Sequence, residues 1–298
     1  MILFYFACIP EQSPKDTASN THRFNAPPLR VLSSGECPEL TTTGETVSFV
    51  SSDEERRVTV IIPEETPEPS ALVFFFHGLL DASYDNPTAL MSRSLDLQEL
   101  ADERNAVILL PESKTWDLMG QEFYLWQLEE GTIAQDLTLY DDLRTCAAED
   151  LSVDLDRVSS IGFSGGALFN TVLISERGAD LAAAVELSGG SDYEIPTFEE
   201  DMAPYSTPNY RMPVLLVDGG DDDLWPNASF PIVNFQEGTE RLEGQLLGDG
   251  HHVGRCSHTQ GHSITSNTFD LAIEWLSNHT YEVPSPMTDI SNWDCWLP

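Results

Sequence analysis

The sequence predicts a single α/β domain with a mostly parallel central sheet and helices on both faces. Two observations support this fold class. Several short runs are apolar at every position, which is typical of strands buried on both faces of a sheet. These runs alternate with segments of helical spacing, and the connections between them are short. With 298 residues, the chain is long enough to bury one large core.

Six strands are predicted from apolar or β-branched runs that end at turn residues. The first run is rich in valine and isoleucine and stops at Pro63, and the third stops at Pro111. The second contains three consecutive phenylalanines and leads into the pair His77-Gly78. Proline and glycine are the residues that commonly end such runs. In chain order, the predicted strands are 57–63, 71–76, 106–110, 158–163, 182–187 and 213–217.

Four helices are predicted from apolar residues that recur every three or four positions. In the second of them, Ile133, Leu137 and Cys146 lie on or near one face. The third starts with small residues directly after a predicted strand, and the fourth is amphipathic and closes the domain. In chain order, the predicted helices are 86–105, 132–151, 165–176 and 266–278.

The chain divides into three parts. Residues 1–36 combine a short apolar start with a flexible tether, 37–281 form the predicted α/β domain, and 282–298 form a tail whose Cys295 is available for a disulfide. The first nine residues end in Ala-Cys-Ile and resemble the end of a bacterial lipoprotein signal, which makes Cys8 the candidate lipidation site. The alternative is an apolar terminus that is simply frayed.

The charge balance excludes several classes of partner. Fourteen Lys and Arg stand against fifty Asp and Glu, for a net charge of −36. Such a surface repels phosphate backbones and anionic lipid, so we expect no nucleic-acid partner. The sequence has no run of eighteen apolar residues, so we predict no transmembrane segment. We expect the protein to act as a monomer.

The cysteine count favours export. With Cys8 set aside as a lipid site, four cysteines remain, which is enough for two disulfides in any of three pairings. Disulfides form in oxidising compartments, so we expect a secreted, periplasmic or lipid-anchored protein of the bacterial cell envelope. A cytosolic protein with free thiols is the alternative. The four cysteines are Cys37, Cys146, Cys256 and Cys295.

The pentapeptide Gly162-Phe-Ser-Gly-Gly166 identifies Ser164 as a candidate nucleophile. It fits the pattern Gly-x-Ser-x-Gly and lies between a predicted strand and a predicted helix, where a nucleophile elbow must be. The outer glycines, Gly162 and Gly166, form this elbow because a Cβ atom would clash between strand and helix. An ordinary glycine-rich turn, or an anion-binding helix start, is the alternative.

A serine hydroxyl needs a base, and the base needs an acid that orients it. On a sheet of this kind the three residues follow one another in the order serine, acid, histidine. This chain has an acidic loop at 218–223, after the last predicted strand, and a Gly-His pair before the last predicted helix. The order of residue types therefore matches.

Together these segments resemble the polyhydroxybutyrate depolymerase and feruloyl-esterase-like branch of the α/β-hydrolase superfamily. The likeness covers about residues 71–280 and depends on the joint order of the motifs. These motifs are Phe76-His-Gly78, Val153-Asp-Leu-Asp-Arg-Val158, Gly162-Phe-Ser-Gly-Gly166, Gly219-Gly-Asp-Asp222 with Trp225-Pro226, and Gly261-His262.

The resemblance implies the partners of the nucleophile. It identifies His262 as the base, and the family's spacing from Gly219 and Pro226 places the acid at Asp222. The neighbouring acids are interpreted as solvated loop residues. Two of them, Asp221 and Asp223, are alternatives for the third member.

The resemblance also implies an oxyanion hole made of two backbone N–H groups. One is that of Leu79, after the His-Gly pair, and the other is that of Gly165, directly after the nucleophile. We interpret the imidazole of His77 as a packing group at a strand end. The family often has alanine at the position of Gly165.

The function implied is serine-dependent hydrolysis of a carboxylic ester through an acyl-enzyme, without a cofactor. The ester is a polyhydroxyalkanoate-type polyester, a feruloyl or acetyl ester, or a short-chain ester. A peptidase or lactonase with the same triad, and a non-catalytic binding protein on a hydrolase scaffold, are the alternatives. Three tryptophans are candidates for the substrate cleft, with the core as the alternative for the first two: Trp116, Trp126 and Trp225.

A second cluster of residues suggests a different chemistry. His251, His252 and His258 lie near Cys256, which is a combination found at transition-metal sites. Their spacing lacks the i, i+4 helical pattern of a zincin, and a serine nucleophile needs no metal. We therefore predict no metal, and interpret these histidines as polar groups near the mouth of the site.

Overall fold

The computed structural model describes residues 25–66, 69–118, 120–128, 132–194, 201–226, 232–288 and 295–296. The strands in these residues are β1 (Thr46–Ser51), β2 (Glu54–Ile61), β3 (Ser70–Phe76), β4 (Leu80–Asp81), β5 (Ala106–Pro111), β6 (Lys114–Leu118), β7 (Gln121–Leu125), β8 (Val153–Phe163), β9 (Ala183–Leu187), β10 (Val214–Asp218), β11 (Leu224–Trp225), β12 (Val233–Asn234), β13 (Val253–Ser257) and β14 (Cys295–Trp296). The helices are α1 (Pro87–Ser94), α2 (Leu97–Arg104), α3 (Ala134–Asp150), α4 (Gly165–Arg177), α5 (Phe235–Asp249) and α6 (Ser266–Ser277).

The central sheet has nine strands in the order β1-β2-β5-β3-β8-β9-β10-β13-β14. All neighbours from β5 to β13 pair in parallel. The pairs at the two edges, β1 with β2, β2 with β5, and β13 with β14, are antiparallel. The predicted fold class, a mostly parallel sheet in an α/β domain, is therefore confirmed.

The three consecutive phenylalanines of β3 show how the sheet creates two cores. Side chains alternate between the faces of a strand, so Phe74 and Phe76 point to one face and Phe75 to the other. Phe76 contacts Phe169 of α4, with ring centroids 5.0 Å apart, while Phe75 contacts Phe269 of α6 at 5.9 Å. Helices therefore cover both faces, and β3 is apolar from Ala71 to Phe76 because neither face meets solvent.

The six predicted strands are all present, but the sequence pattern missed other elements. The predicted helix 86–105 is two helices, because Asp96 between them has a left-handed φ of 50°. The segment after β5 forms the hairpin β6–β7, which makes a small sheet with β4. The missed helix α5 contains Gly238, Gly244 and Gly248, which weaken its helical signal.

The structure contains two disulfides, which correspond to one of the three possible pairings. Cys37 is bonded to Cys146 of α3, and Cys256 of β13 is bonded to Cys295 of β14. The first of these bonds fastens the segment before β1 to the domain. None of the helices in the described segments is both long and apolar enough to cross a membrane.

The described part of the predicted tether, residues 25–36, is held against the domain. The Arg30 guanidinium lies 3.1 Å from the Asp141 carboxylate of α3. The Ser33 N–H donates a hydrogen bond to Asp142 at 2.8 Å. These polar contacts order a stretch whose composition alone suggested flexibility. The candidate lipidation residue Cys8 lies outside the described residues.

Candidate active site

Ser164 lies at the turn that joins β8 to α4 and has a positive φ of 54° with ψ of −123°. For a residue with a side chain this conformation is strained, at a cost of about 1–3 kcal/mol. The surrounding backbone holds it in place. Its N–H donates to the Leu187 carbonyl at 3.0 Å, and its own carbonyl accepts from Ala167 and Leu168 in the first turn of α4.

Two glycines allow this turn to form. A Cβ atom on Gly162 would lie 2.4 Å from the Gly166 carbonyl oxygen, and one on Gly166 would lie 2.1 Å from the Phe76 carbonyl oxygen. Neither position has room for a side chain. At Gly165, by contrast, a Cβ atom would first meet Leu125 Cδ1 at 3.4 Å, so alanine fits there.

The hydroxyl, the imidazole and a carboxylate form one hydrogen-bonded line. His262 Nε2 lies 2.8 Å from Ser164 Oγ, and His262 Nδ1 lies 2.7 Å from Asp223 Oδ1. Asp223 is fully buried, and its second oxygen accepts the N–H of Gly219 at 2.7 Å. The carboxylate is thus fixed by the backbone on one side and faces the imidazole on the other.

The structure places Asp223 at the imidazole, not Asp222 as expected from the family spacing. Residues 220–222 form one helical turn, and the Asp223 N–H closes it by donating to the Gly220 carbonyl at 2.9 Å. This turn leaves Asp221 and Asp222 exposed and directs the next residue inward. Asp218, also interpreted as solvated, is buried and pairs with Arg255 at 2.6 Å.

Two phenyl rings enclose the imidazole of His262. Phe163 stacks on it with ring centroids 5.0 Å apart, and Phe235 stacks with centroids 4.3 Å apart. Phe163 is the variable residue of the elbow motif, and Phe235 is the first residue of α5. Sequence reasoning missed both roles, because neither residue belongs to a motif that predicts contact with a histidine.

The segment after β3 and the start of α4 approach each other beside Ser164. A Cβ atom on Gly78 would lie 3.0 Å from Ser164 Cβ, and one on Gly165 would lie 3.9 Å from the Leu79 backbone nitrogen. Gly165 is the first residue of α4, and the first N–H groups of a helix have no acceptor within it. The two predicted donors, Leu79 and Gly165, are therefore neighbours in space.

His77 was interpreted as a packing residue, but both nitrogens of its ring make hydrogen bonds. Its Nε2 lies 3.1 Å from the backbone nitrogen of Ser113, which can only donate, so Nε2 is the unprotonated nitrogen. Nδ1 therefore carries the proton and donates to the Gly78 carbonyl at 2.5 Å. Burial lowers the pKa of His77 to about 4, which keeps the ring neutral.

The hydrogen bond from His77 fixes a peptide plane at the predicted oxyanion hole. The Gly78 carbonyl and the Leu79 N–H belong to one planar peptide unit and point in opposite directions. Holding the carbonyl on one side therefore aims the N–H to the other. Trp126 Nε1 donates to the His77 carbonyl at 2.8 Å, which holds the preceding peptide unit.

The three candidate cleft tryptophans have different surroundings. Trp126 is only 2% exposed and packs between Phe76 and Phe169, so it belongs to the core. Trp116 on β6 is 42% exposed, and Trp225 on β11 is partly buried. The first side chain that a Cβ atom on Gly165 would meet is that of Leu125, which sequence reasoning did not select.

Cys256 and two of the three histidines considered as a metal cluster have other partners in the structure. Cys256 is in a disulfide, His251 Nδ1 bonds the Met212 carbonyl at 2.8 Å, and His252 stacks on Trp275 at 5.6 Å. Among the residues that the structure describes, no three His, Cys, Asp or Glu side chains are grouped as metal ligands would be.

The chain has the α/β-hydrolase fold. Superposition on the solved structure named pOPH, native form, gives a TM-score of 0.66 at 17% identity, over 88% of this chain and 96% of the other. An S-formylglutathione hydrolase from Agrobacterium tumefaciens gives 0.58 at 15% identity, over 80% and 96%. A thermostable esterase gives 0.53 at 18% identity, over 79% and 63%. No protein-family model and no curated protein sequence matches the chain.

Proposed function

We propose that the protein is a serine hydrolase that cleaves carboxylic esters. The observation that carries the proposal is the line from Ser164 Oγ through His262 to buried Asp223, with contacts of 2.8 and 2.7 Å. A serine, a histidine and a buried carboxylate in this arrangement are the parts needed to activate a hydroxyl.

Each residue has one role in the proposed reaction. Ser164 Oγ forms a bond to the ester carbonyl carbon while its proton passes to His262 Nε2. The N–H groups of Leu79 and Gly165 bind the oxyanion that develops. The proton then goes to the departing alcohol, and the acyl-enzyme forms. Water, deprotonated by His262, then attacks the acyl carbon. The bond from this carbon to Ser164 Oγ breaks, His262 returns the proton to Ser164, and the acid is released.

Three further points support esters as the substrate class. Two similar structures carry the names esterase and S-formylglutathione hydrolase. The order of motifs favours the polyhydroxybutyrate depolymerase and feruloyl-esterase-like branch. The formal net charge of −36 disfavours polyanionic substrates.

The two disulfides favour action outside the cytoplasm.

A covalent probe tests the proposal. We expect a fluorophosphonate to label Ser164, because only an activated hydroxyl attacks it at neutral pH, and we expect turnover of p-nitrophenyl acetate or butyrate. Both should be lost in Ser164→Ala. The matched control is Ser263→Ala, which removes a nearby hydroxyl bonded only to the Gln260 carbonyl among the described residues. Labelling of Ser164→Ala at the wild-type level, or folded wild-type protein that neither labels nor hydrolyses any ester, would contradict it.

His77→Phe tests whether the imidazole positions the oxyanion donor. The phenyl ring keeps the volume but frees the Gly78 carbonyl, so the Leu79 N–H loses its fixed direction. Loss of a whole oxyanion donor costs about 10²–10³ in kcat; for this indirect change we expect about 10-fold to 100-fold. KM should stay within about twofold, because the contact is made in the transition state. A rise in KM at unchanged kcat would count against this role.

A further inference from the structure

Glu186 is a fully buried acid on β9, among apolar neighbours. Along this strand, Ala183, Val185 and Leu187 face the core beneath α6, so Glu186 faces the opposite side, toward α4 and α5. Within the described residues it makes no ion pair with an Arg, Lys or His side chain. An isolated carboxylate in such a place is costly, so its protonation state needs a physical account.

The hydrogen bonds around the carboxyl group require a proton on it. Thr171 Oγ1 lies 2.8 Å from Glu186 Oε1 and 2.8 Å from the Gly190 carbonyl oxygen. The threonine hydroxyl has one hydrogen, and a carbonyl oxygen can only accept. Thr171 therefore donates to Gly190, and Glu186 Oε1 must donate to Thr171. The other oxygen, Oε2, accepts the Gly190 N–H at 3.1 Å.

The opposite proton arrangement leaves one contact without a hydrogen. If Glu186 were ionised, the Thr171 hydroxyl would donate its hydrogen to the carboxylate. The contact between Thr171 Oγ1 and the Gly190 carbonyl oxygen would then contain no hydrogen, and the two oxygens would repel each other. A buried charge without a cation and a buried carbonyl without a donor are both unfavourable. The protonated acid satisfies every polar atom in the set.

The neighbouring loop is built closely around this carboxyl group. A Cβ atom on Gly189 would lie 2.3 Å from Glu186 Oε2. Gly190 has a φ of +127°, and a Cβ atom there would lie 2.4 Å from the Gly238 carbonyl carbon in α5. Two consecutive glycines thus let the backbone cover the acid and reach α5.

The same contacts connect to the candidate active site. Thr171 lies about two turns along α4 from Ser164, and the Ser164 N–H is bonded to the residue after Glu186. The Gly189 carbonyl accepts from Tyr193 Oη at 2.9 Å. The Tyr193 ring in turn contacts Phe235, which stacks on His262.

We propose that Glu186 is held as a neutral carboxylic acid and serves as a positioning residue, joining α4 to the loop at 188–190 so that Ser164 and His262 keep their relative placement. The assignment of a neutral Glu186 does not depend on the proposed function, whereas its effect on Ser164 and His262 rests on that function.

In the part of the chain that the structure describes, the charged and titratable groups near Glu186 supply no counter-ion. From the loop, Tyr193 presents a hydroxyl bonded to Gly189. From α5, Glu237 is exposed, and Arg241 bonds the Ser191 and Asp192 carbonyls while lying 5.5 Å from the Tyr193 ring. Asp223, after β10, is bonded to His262.

Burial sets the direction of the pH dependence. It is the largest influence on this group and raises the pKa of Glu186 from 4.5 to about 8. The folded protein therefore binds this proton more tightly than the unfolded chain does. This contribution to stability is complete at pH below 4.5, declines as the pH rises toward 8, and is lost above it.

Glu186→Gln provides the test, because a glutamine amide donates to Thr171 and accepts from Gly190 but does not titrate. We expect the infrared spectrum of the wild type at about pH 6 to contain the carbonyl band of a protonated acid. That band should be absent from Glu186→Gln and should disappear from the wild type at about pH 10. Glu237→Gln, which removes an exposed acid on α5, is the matched control and should keep the band.

Unfolding and turnover measurements separate the two parts of the proposal. Between about pH 5 and pH 8 the wild type should lose stability relative to Glu186→Gln with a slope of about one proton. Above pH 8, kcat for p-nitrophenyl butyrate should fall by up to about tenfold per pH unit in the wild type and stay level in Glu186→Gln.

Each outcome decides one part. Absence of the acid band from the wild type at pH 6, or equal pH slopes of stability, would overturn the neutral-acid assignment. The band experiment needs only wild-type protein, so it holds even if Glu186→Gln does not fold. Identical alkaline kcat profiles would overturn the positioning role alone. Lack of ester turnover in every variant would instead contradict the proposed function and leave the spectral result intact.

Discussion

Replacing Asp223 by Asn should lower kcat/KM for p-nitrophenyl butyrate by about 10⁴-fold, because the imidazole loses the carboxylate that selects its tautomer and stabilises its protonated form. Asp223 Oδ1 lies 2.7 Å from His262 Nδ1. An amide in its place presents either an N–H, which forces the proton onto Nε2, or a neutral oxygen. With the proton on Nε2, the ring cannot accept one from Ser164.

The neighbouring residue provides the matched control. Asp222→Asn removes the same charge one position earlier, but that side chain is exposed, so we expect kcat/KM to change by about twofold or less. Steady-state kinetics of both variants, with circular dichroism to verify folding, show which of the two aspartates supports His262. A larger loss in Asp222→Asn than in Asp223→Asn would restore the family spacing and contradict the contact described above.

Replacing Gly166 by Ala should destabilise the fold by about 3 kcal/mol or more. The new Cβ atom would lie 2.1 Å from the Phe76 carbonyl oxygen and 2.5 Å from that of His77. Both are backbone atoms at the end of β3, so they move only if the strand separates from α4. We expect a large drop in the urea midpoint at unchanged m-value.

Gly165→Ala is the comparison for this variant. Its Cβ atom would meet nothing closer than Leu125 Cδ1 at 3.4 Å, and alanine favours a helix more than glycine does, so stability should change by about 1 kcal/mol or less. Equal destabilisation by the two substitutions would mean that the close approach of β3 to α4 does not limit the side chain at 166.

Six strands of the central sheet were predictable because each contains a run of mostly apolar or β-branched residues. β3 and β9 illustrate how far this holds. From Ala71 to Phe76, β3 has only apolar residues, whereas β9 includes Glu186, whose burial depends on a partner on α4 that the strand's own sequence does not reveal. The hairpin β6–β7 was missed because its exposed residues lack a clear alternation.

In the candidate site, chain order located the hydroxyl and the imidazole but not the acid. The motifs at Ser164 and His262 are each fixed by adjacent glycines, so their positions follow from the sequence. The acid depends on one helical turn at 220–222, which rotates successive aspartates by about a third of a circle and so decides which one faces inward. The role of His77 depends on Ser113, which is distant in sequence.

The paired phenyl faces around His262 have a consequence for proton movement. Phe163 and Phe235 lie at 23° and 12° to the imidazole plane, so both rings limit how far the imidazole can tip. A flat ring stacked on nearly parallel neighbours slides along its own plane more easily than it tips out of it. In the proposed reaction, the imidazole would therefore pass the proton from the attacking oxygen to the departing one by moving within its own plane.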